Sequence, residues 1–168
     1  AGDSRAVVVR RAGAGFEAAP LSRDHNPDLP DERRRVEAAG GFVSDPPAPG
    51  LSARVWLDAA RTRVGLAMSR SLGDGAAKRV GVVSDAEVPR PAVDAARDAA
   101  LVAASDGVWE FVGSDEVAAL VGAQLDQGGP EACADACRAL VDLAAQRWRD
   151  AEGLYRDDIT CVVARLGE

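Results

Sequence analysis

Three carboxylates in this sequence stand where a strand is expected to begin or end. Asp3 precedes the β-branched run Arg5–Arg11, Asp106 follows the apolar run Ala99–Ser105, and Asp157 precedes Ile159–Leu166. If the strand ending at Asp106 runs antiparallel to the two that begin after Asp3 and Asp157, all three acids reach one edge of a sheet. Neighbouring strands lie about 4.8 Å apart, a spacing that one metal ion can span. Clustered carboxylates raise one another's pKa unless a cation sits among them. Hard oxygen donors of this kind suit Mg²⁺ or Mn²⁺, with water completing the shell. Taken singly, each Asp is also a turn former.

Other residues with chemical potential have weaker settings. Gly13-Ala14-Gly15-Phe16-Glu17-Ala18 matches the GxGxxA pattern of dinucleotide sites, but Pro20 interrupts the helix such a site needs. His25, the single histidine, lies in the polar stretch Arg23–Pro27 without a Cys or Ser partner at a recognisable spacing, which fits a structural or solvated imidazole. Cys133 and Cys137 fall on the apolar face of a helix, where core packing is expected. Arg33-Arg34-Arg35 reads as the solvated end of a short helix. Trp109, just after the Asp106-Gly107 turn, reads as a core anchor.

The elements that must carry these residues follow from local pattern. Arg5–Arg11 and Phe16–Leu21 read as a hairpin around Gly13-Ala14-Gly15. Asp31–Ala39 places acids first and bases last and stops at Gly40-Gly41, as a short helix would. Asp45–Ser52 reads as an exposed loop. Arg54–Leu57, Val64–Met68 and Val80–Val88 are strand candidates, and Ala99–Ser105 is a buried one. Ser114 is placed to cap a helix running to about Leu125. Pro130 is expected to start the longest helix, to about Asp150, with apolar residues at i, i+3, i+4 spacing. Short strands early and two long helices late point to an α+β fold with antiparallel pairing.

The 168 residues suffice for about one domain with a real core. Apolar residues make up 47% and charged residues 28%, as in globular proteins. A net charge of −7 argues against nucleic acid and anionic membranes as partners. No apolar run approaches the length of a membrane span. Three cysteines without CxxC spacing suit a reducing compartment, so an intracellular place, cytoplasmic or nuclear, is expected. The chain starts at Ala1 rather than Met, as a fragment or processed chain would.

GDSRA at Gly2–Ala6, the stretch Leu21–Val43, LAMSRSLGD at Leu66–Asp74, ASDGVWE at Ala104–Glu110 and RDDIT at Arg156–Thr160 are five segments that, in this order, resemble the metal-dependent type 2C protein serine/threonine phosphatases, and RVW at Arg54–Trp56 with Ala76–Val88 resembles their eukaryotic branch. ASDGVWE at Ala104–Glu110 is similar to the family's SDG(V/L)WD, and Gly2-Asp3-Ser4-Arg5-Ala6 to its GDSRA. Leu21–Val43 resembles its DHkP…E..RI..aGG stretch, Leu66–Asp74 its LA(V/M)SRAxGD, and Arg156–Thr160 its closing DN(I/M)(T/S). The resemblance implies an antiparallel β-sandwich flanked by helices (α-β-β-α) with its N-terminal part missing. It implies one partial domain over residues 1–168, with a flap-like insertion near 41–66.

The implied reaction is hydrolysis of phosphoserine or phosphothreonine in proteins by a metal-activated water, with no phosphoenzyme. Asp106 and Asp157 would bind the catalytic Mg²⁺ or Mn²⁺, two or more ions per complete domain, and Asp3 with Asp106 a further, weaker ion. The family's general acid His and phosphate-binding Arg would lie before Ala1, leaving no catalytic residue of that kind in this chain. Asp158 stands where the family usually has Asn, and Glu110 where it has Asp. The alternative is a catalytically inactive, phosphatase-like remnant that acts as a binding module.

Overall fold

The β-branched runs and the periodic helices segregate into two compact units in a computed structural model, which describes residues 1–47, 51–90 and 93–167. One unit comprises Ser4–Arg23 and Val88–Glu168, the other Ala1–Asp3 and Asp24–Glu87.

The larger unit is built on a four-stranded antiparallel sheet ordered β2-β1-β6-β7. Its strands are β1 (Arg5–Ala12), β2 (Gly15–Pro20), β6 (Asp98–Ala104) and β7 (Cys161–Arg165). The hairpin expected around Gly13-Ala14-Gly15 is present, with Ala12 paired to Gly15. That turn leads into a strand, so the GxGxxA pattern opens no helix here. β6 is half-buried rather than enclosed: Asp98, Ala100, Val102 and Ala104 face inward, and the residues between them are partly exposed. A bulge between Val9 and Arg10 sets Arg10 opposite Asp98. The Arg10 guanidinium donates to both Asp98 oxygens, at 2.6 and 3.2 Å, and holds that buried carboxyl below its usual range.

Three helices complete this unit: α2 (Asp106–Trp109), α3 (Ser114–Gln127) and α4 (Ala132–Glu152). Val117, Val121, Leu140 and Ala144 from α3 and α4 join Val7 and Val102 of the sheet in one core. The helix after Pro130 begins two residues later than expected, at Ala132, because Pro130 and Glu131 form a turn in which Ala132 N donates to Gly129 O at 3.4 Å. Ser114 is not the cap: Gly113 holds that position, and the Ser114 hydroxyl accepts a bond from Arg5 at 2.9 Å.

The second unit holds α1 (Pro30–Ala38) and a three-stranded antiparallel sheet, β3 (Phe42–Ser44), β4 (Arg54–Trp56) and β5 (Val64–Leu66). Val36, Val55 and Val82 centre its smaller core. β3 was not foreseen, since only three residues separate Gly41 from Asp45. The strand expected over Val80–Val88 is absent. A 3-10 turn occupies Ala77–Val80, and Gly81 then takes φ 89°, a left-handed conformation that breaks an extended path. Only a bridge between Arg70 and Val83 remains. Of the loop expected over Asp45–Ser52 and the flap-like insertion near 41–66, residues 48–50 lie outside the described residues. The chain is therefore α+β with antiparallel sheets. Among the described residues, no helix is long and apolar enough to cross a membrane.

Candidate functional site

Register places the strand ends. Arg5 at the start of β1 pairs with Ala104 at the end of β6, and Ala104 pairs with Cys161 at the start of β7. The antiparallel arrangement expected of these three strands is thus present. Past the paired residues, the ladder continues by other means. Ser105 N donates to Thr160 O at 3.0 Å, and Thr160 N donates to Ser105 Oγ at 3.1 Å. Ser105 Oγ in turn donates to Asp158 O at 3.1 Å. These bonds tie the segment carrying Asp106 to the segment carrying Asp157, so the two acids share one end of the sheet.

Asp106 opens the single turn α2 rather than a simple reverse turn. Its Oδ1 accepts from Gly107 N at 3.0 Å, and Asp157 Oδ1 accepts from Asp158 N at 2.7 Å. Both acids are half-buried, and Asp158 is exposed. Gly107 is required by contact: a Cβ there would lie 2.3 Å from Asp158 O. Two indoles fix the turn from the core side. Trp109 Nε1 donates to Ala104 O at 2.8 Å, and Trp148 Nε1 donates to Gly107 O at 2.7 Å. Trp109 is a core anchor, as expected, and Arg5 stacks 5.0 Å over its ring.

Asp3 belongs to the second unit, two residues ahead of β1. Gly2 beside it is clamped by His25, whose backbone N and ring Nδ1 both lie 3.0 Å from Gly2 O. A carbonyl only accepts, so Nδ1 carries the proton. His25 is buried rather than solvated, and its Nε2 has no hydrogen-bond partner, with Glu87 Oε1 3.6 Å away.

The most buried charge is one that the strand-end reading passed over. Glu32 is fully enclosed in α1 and receives Arg35 at 2.7 and 2.6 Å, Arg70 at 2.6 Å, and the Ser69 hydroxyl. Burial alone would push its carboxyl up, but the hydrogen bonds from Arg35, Arg70 and Ser69 prevail and hold it well below the usual carboxylate range. Arg35 is therefore no solvated helix end: it also donates to Gly81 O and Ser69 O, both at 2.9 Å. The i, i+3 spacing of Glu32 and Arg35 was the available signal. Arg70, 38 residues away, was not inferable from local pattern.

Asp106 and Asp157 are hard oxygen donors of the kind Mg²⁺ and Mn²⁺ take. Among the described residues, no group of three or more His, Cys, Asp or Glu side chains is placed to hold a metal ion. The donor chemistry fits such ions as a share of a site, not as a closed cage.

The family model "Protein phosphatase 2C" matches residues 1–150. The chain is 38% identical over 167 residues to "Probable protein phosphatase 2C 59" of Oryza sativa subsp. japonica, covering 99% of this chain and 42% of that protein. It is 40% identical over 150 residues to "Probable protein phosphatase 2C 12" of the same plant, covering 88% of this chain and 36% of that one. It thus spans about two fifths of the length of these relatives. The backbone is similar to the crystal structure of serine-threonine phosphatase 2C from Toxoplasma gondii, with a TM-score of 0.75 and 21% identity over 98% of this chain and 52% of that one. It is also similar to a C. elegans sex determining protein, with a TM-score of 0.68, 23% identity, and 98% and 35% coverage. At these identities the structural likeness concerns the fold.

Proposed function

The chain belongs to the protein phosphatase 2C family, and from that premise we propose that it is the C-terminal part of a catalytic domain that hydrolyses phosphoserine and phosphothreonine in proteins. The observation that carries this reading is the shared sheet end of Asp106 and Asp157, fastened by the Ser105–Thr160 bonds. In it, Asp106 and Asp157 would hold catalytic metal, and Asp3, steadied through Gly2 by His25, would add a carboxylate for a weaker ion. Bound Mg²⁺ or Mn²⁺ would supply a water acidic enough to attack phosphorus and would offset charge on the phosphoryl oxygens. The work of this chain is to hold those carboxylates in place. The indoles of Trp109 and Trp148 keep the Asp106 turn against the core, and Gly107 lets the Asp158 backbone close on it.

We read residues 1–168 as one partial domain whose stretch near 41–66 acts as a flap that tunes substrate choice. Its partners would be phosphoproteins, and its place the cytoplasm or nucleus. A fluorescent fusion of the longer protein tests the last point, and a secreted signal would refute it.

The decisive experiment is phosphate release from a phosphothreonine peptide by the protein that carries this chain, with and without Mn²⁺. Turnover that needs Mn²⁺ and falls more than about 100-fold in Asp106→Asn, beyond what loss of an outer-shell partner costs, is expected. The second reading is a non-catalytic binding module. Metal-independent binding of a phosphoprotein without turnover would establish that reading instead.

A further inference from the structure

Away from the acidic end of the sheet, the larger unit brings two nucleophilic side chains together. Cys137 lies within α4, Cys161 opens β7, and 24 residues separate them. Cys161 Sγ donates to Cys137 O at 3.7 Å, which sets the two cysteines side by side. Both are half-buried and both line a cavity of about 470 Å³. Arg138 and Asp142 on its α4 wall place a cation and an anion beside the thiols. Cys133, one turn earlier in α4, does not line that cavity.

We propose that Cys137 and Cys161 are a reversible redox modification site, closing to an intramolecular disulfide on reaction with a small disulfide of the glutathione class. The charge pair and the cavity volume suit a zwitterionic tripeptide, and volumes of this order are usual for small-ligand sites. Cys161 Sγ already lies against the Cys137 residue, and the disulfide needs the two sulfurs to approach to about 2.05 Å.

Cys137 as thiolate attacks one sulfur of the oxidant, forming a mixed disulfide and releasing one glutathione thiolate. Cys161 then gives up its proton to that thiolate and attacks the Cys137 sulfur, expelling the second glutathione. Two protein thiols lose two electrons, and one external disulfide becomes two thiols. Cys161 is the second actor because burial, with the Cys137 thiol beside it, pushes its pKa up to about 12. The crosslink closes the loop 137–161, which contains Asp157. It therefore restrains the segment that the acidic end depends on.

The test is to incubate the longer protein carrying this chain with excess oxidised glutathione, block remaining thiols and digest with trypsin. The expected product joins peptide 98–138 to peptide 157–165, about 2 Da lighter than their sum. It runs as a monomer without reductant, and its thermal midpoint rises until dithiothreitol is added. Because peptide 98–138 contains both helix cysteines, Cys133→Ser must keep the link and the thermal shift, and Cys137→Ser must lose both. No link, a stable mixed disulfide, a link through Cys133 or a covalent dimer would each overturn the proposal. None of these readouts depends on phosphatase activity.

Discussion

A single methyl group tests the acidic end of the sheet. Gly107→Ala would put a Cβ 2.3 Å from Asp158 O, against backbone that cannot swing aside. The expected cost is about 1–3 kcal/mol of stability, as for overpacking elsewhere. Because the displaced backbone adjoins Asp157, Mn²⁺-dependent phosphate release should fall further than the thermal midpoint does. Denaturant melts and a Mn²⁺ titration on the same variant separate the two effects. Glu32 makes a different demand. Its folded carboxyl is depressed, so its stabilisation is present above the unfolded pKa of about 4.3 and is lost as pH falls below it, towards the folded value. Glu32→Gln leaves Arg35 and Arg70 without their carboxylate and should cost about 3–5 kcal/mol at pH 7. That deficit should narrow below about pH 4, where the carboxyl of the unfolded wild-type chain starts to take up a proton while the folded one stays ionised. Melts of both proteins from pH 7 to pH 3 check the sign, and a deficit that widened in acid would refute this account. At this scale, the shared sheet end of Asp106 and Asp157 was legible from their places at strand ends. Glu32 falls in a quoted motif, but its role as a buried ion-pair centre was not legible, because that role comes from Arg70 and Ser69, which only the tertiary fold brings to it.

Among the elements, α2 is too short to be stable by itself, and its four residues depend on outside support. Trp148, on the distant helix α4, gives that support through its bond to Gly107 O and its edge-on contact with Phe111 at 4.7 Å. Trp148→Phe keeps a ring in the core but orphans a carbonyl at the buried Gly107, an expected loss of about 1–3 kcal/mol. Amide exchange in α2 should accelerate while that in β1 and β6 stays slow. Equal acceleration in the strands would mean that Trp148 holds the whole unit rather than the turn. Elements were legible where their cause is local. The β1–β2 hairpin follows from a β-branched run and a glycine turn, and α4 from its apolar spacing. They were misread where the cause is not local. Val80–Val88 has strand-like composition, but Gly81 bends it and no strand lies alongside to complete a ladder. Ser114 has the right type for a cap, but Arg5, 109 residues earlier, claims its hydroxyl.

Across the whole molecule the two units are unequal, and that inequality was invisible in composition. Val7, Val9, Val102, Val117, Val121 and Leu140 are fully buried in the larger unit, where a four-stranded sheet is covered by two long helices. The second unit buries Val36, Val55 and Val82 to the same degree, but its core cluster is far smaller and its strands are three residues each. Burial of an aliphatic side chain contributes about 1.5–3 kcal/mol, so the larger core resists opening more. What the second unit has instead is the Glu32–Arg35–Arg70 network, which fixes geometry while adding little net stability over an apolar equivalent. Native-state hydrogen exchange should therefore find amides of β4 and α1 opening at lower free energy than those of β1 and β6. Glu32→Gln should lower the first set and leave the second nearly unchanged. If all amides instead exchange at one free energy and Glu32→Gln lowers them together, the chain unfolds as a single cooperative body. Asp3, which belongs to the smaller unit, would then be as firmly held as Asp106 and Asp157.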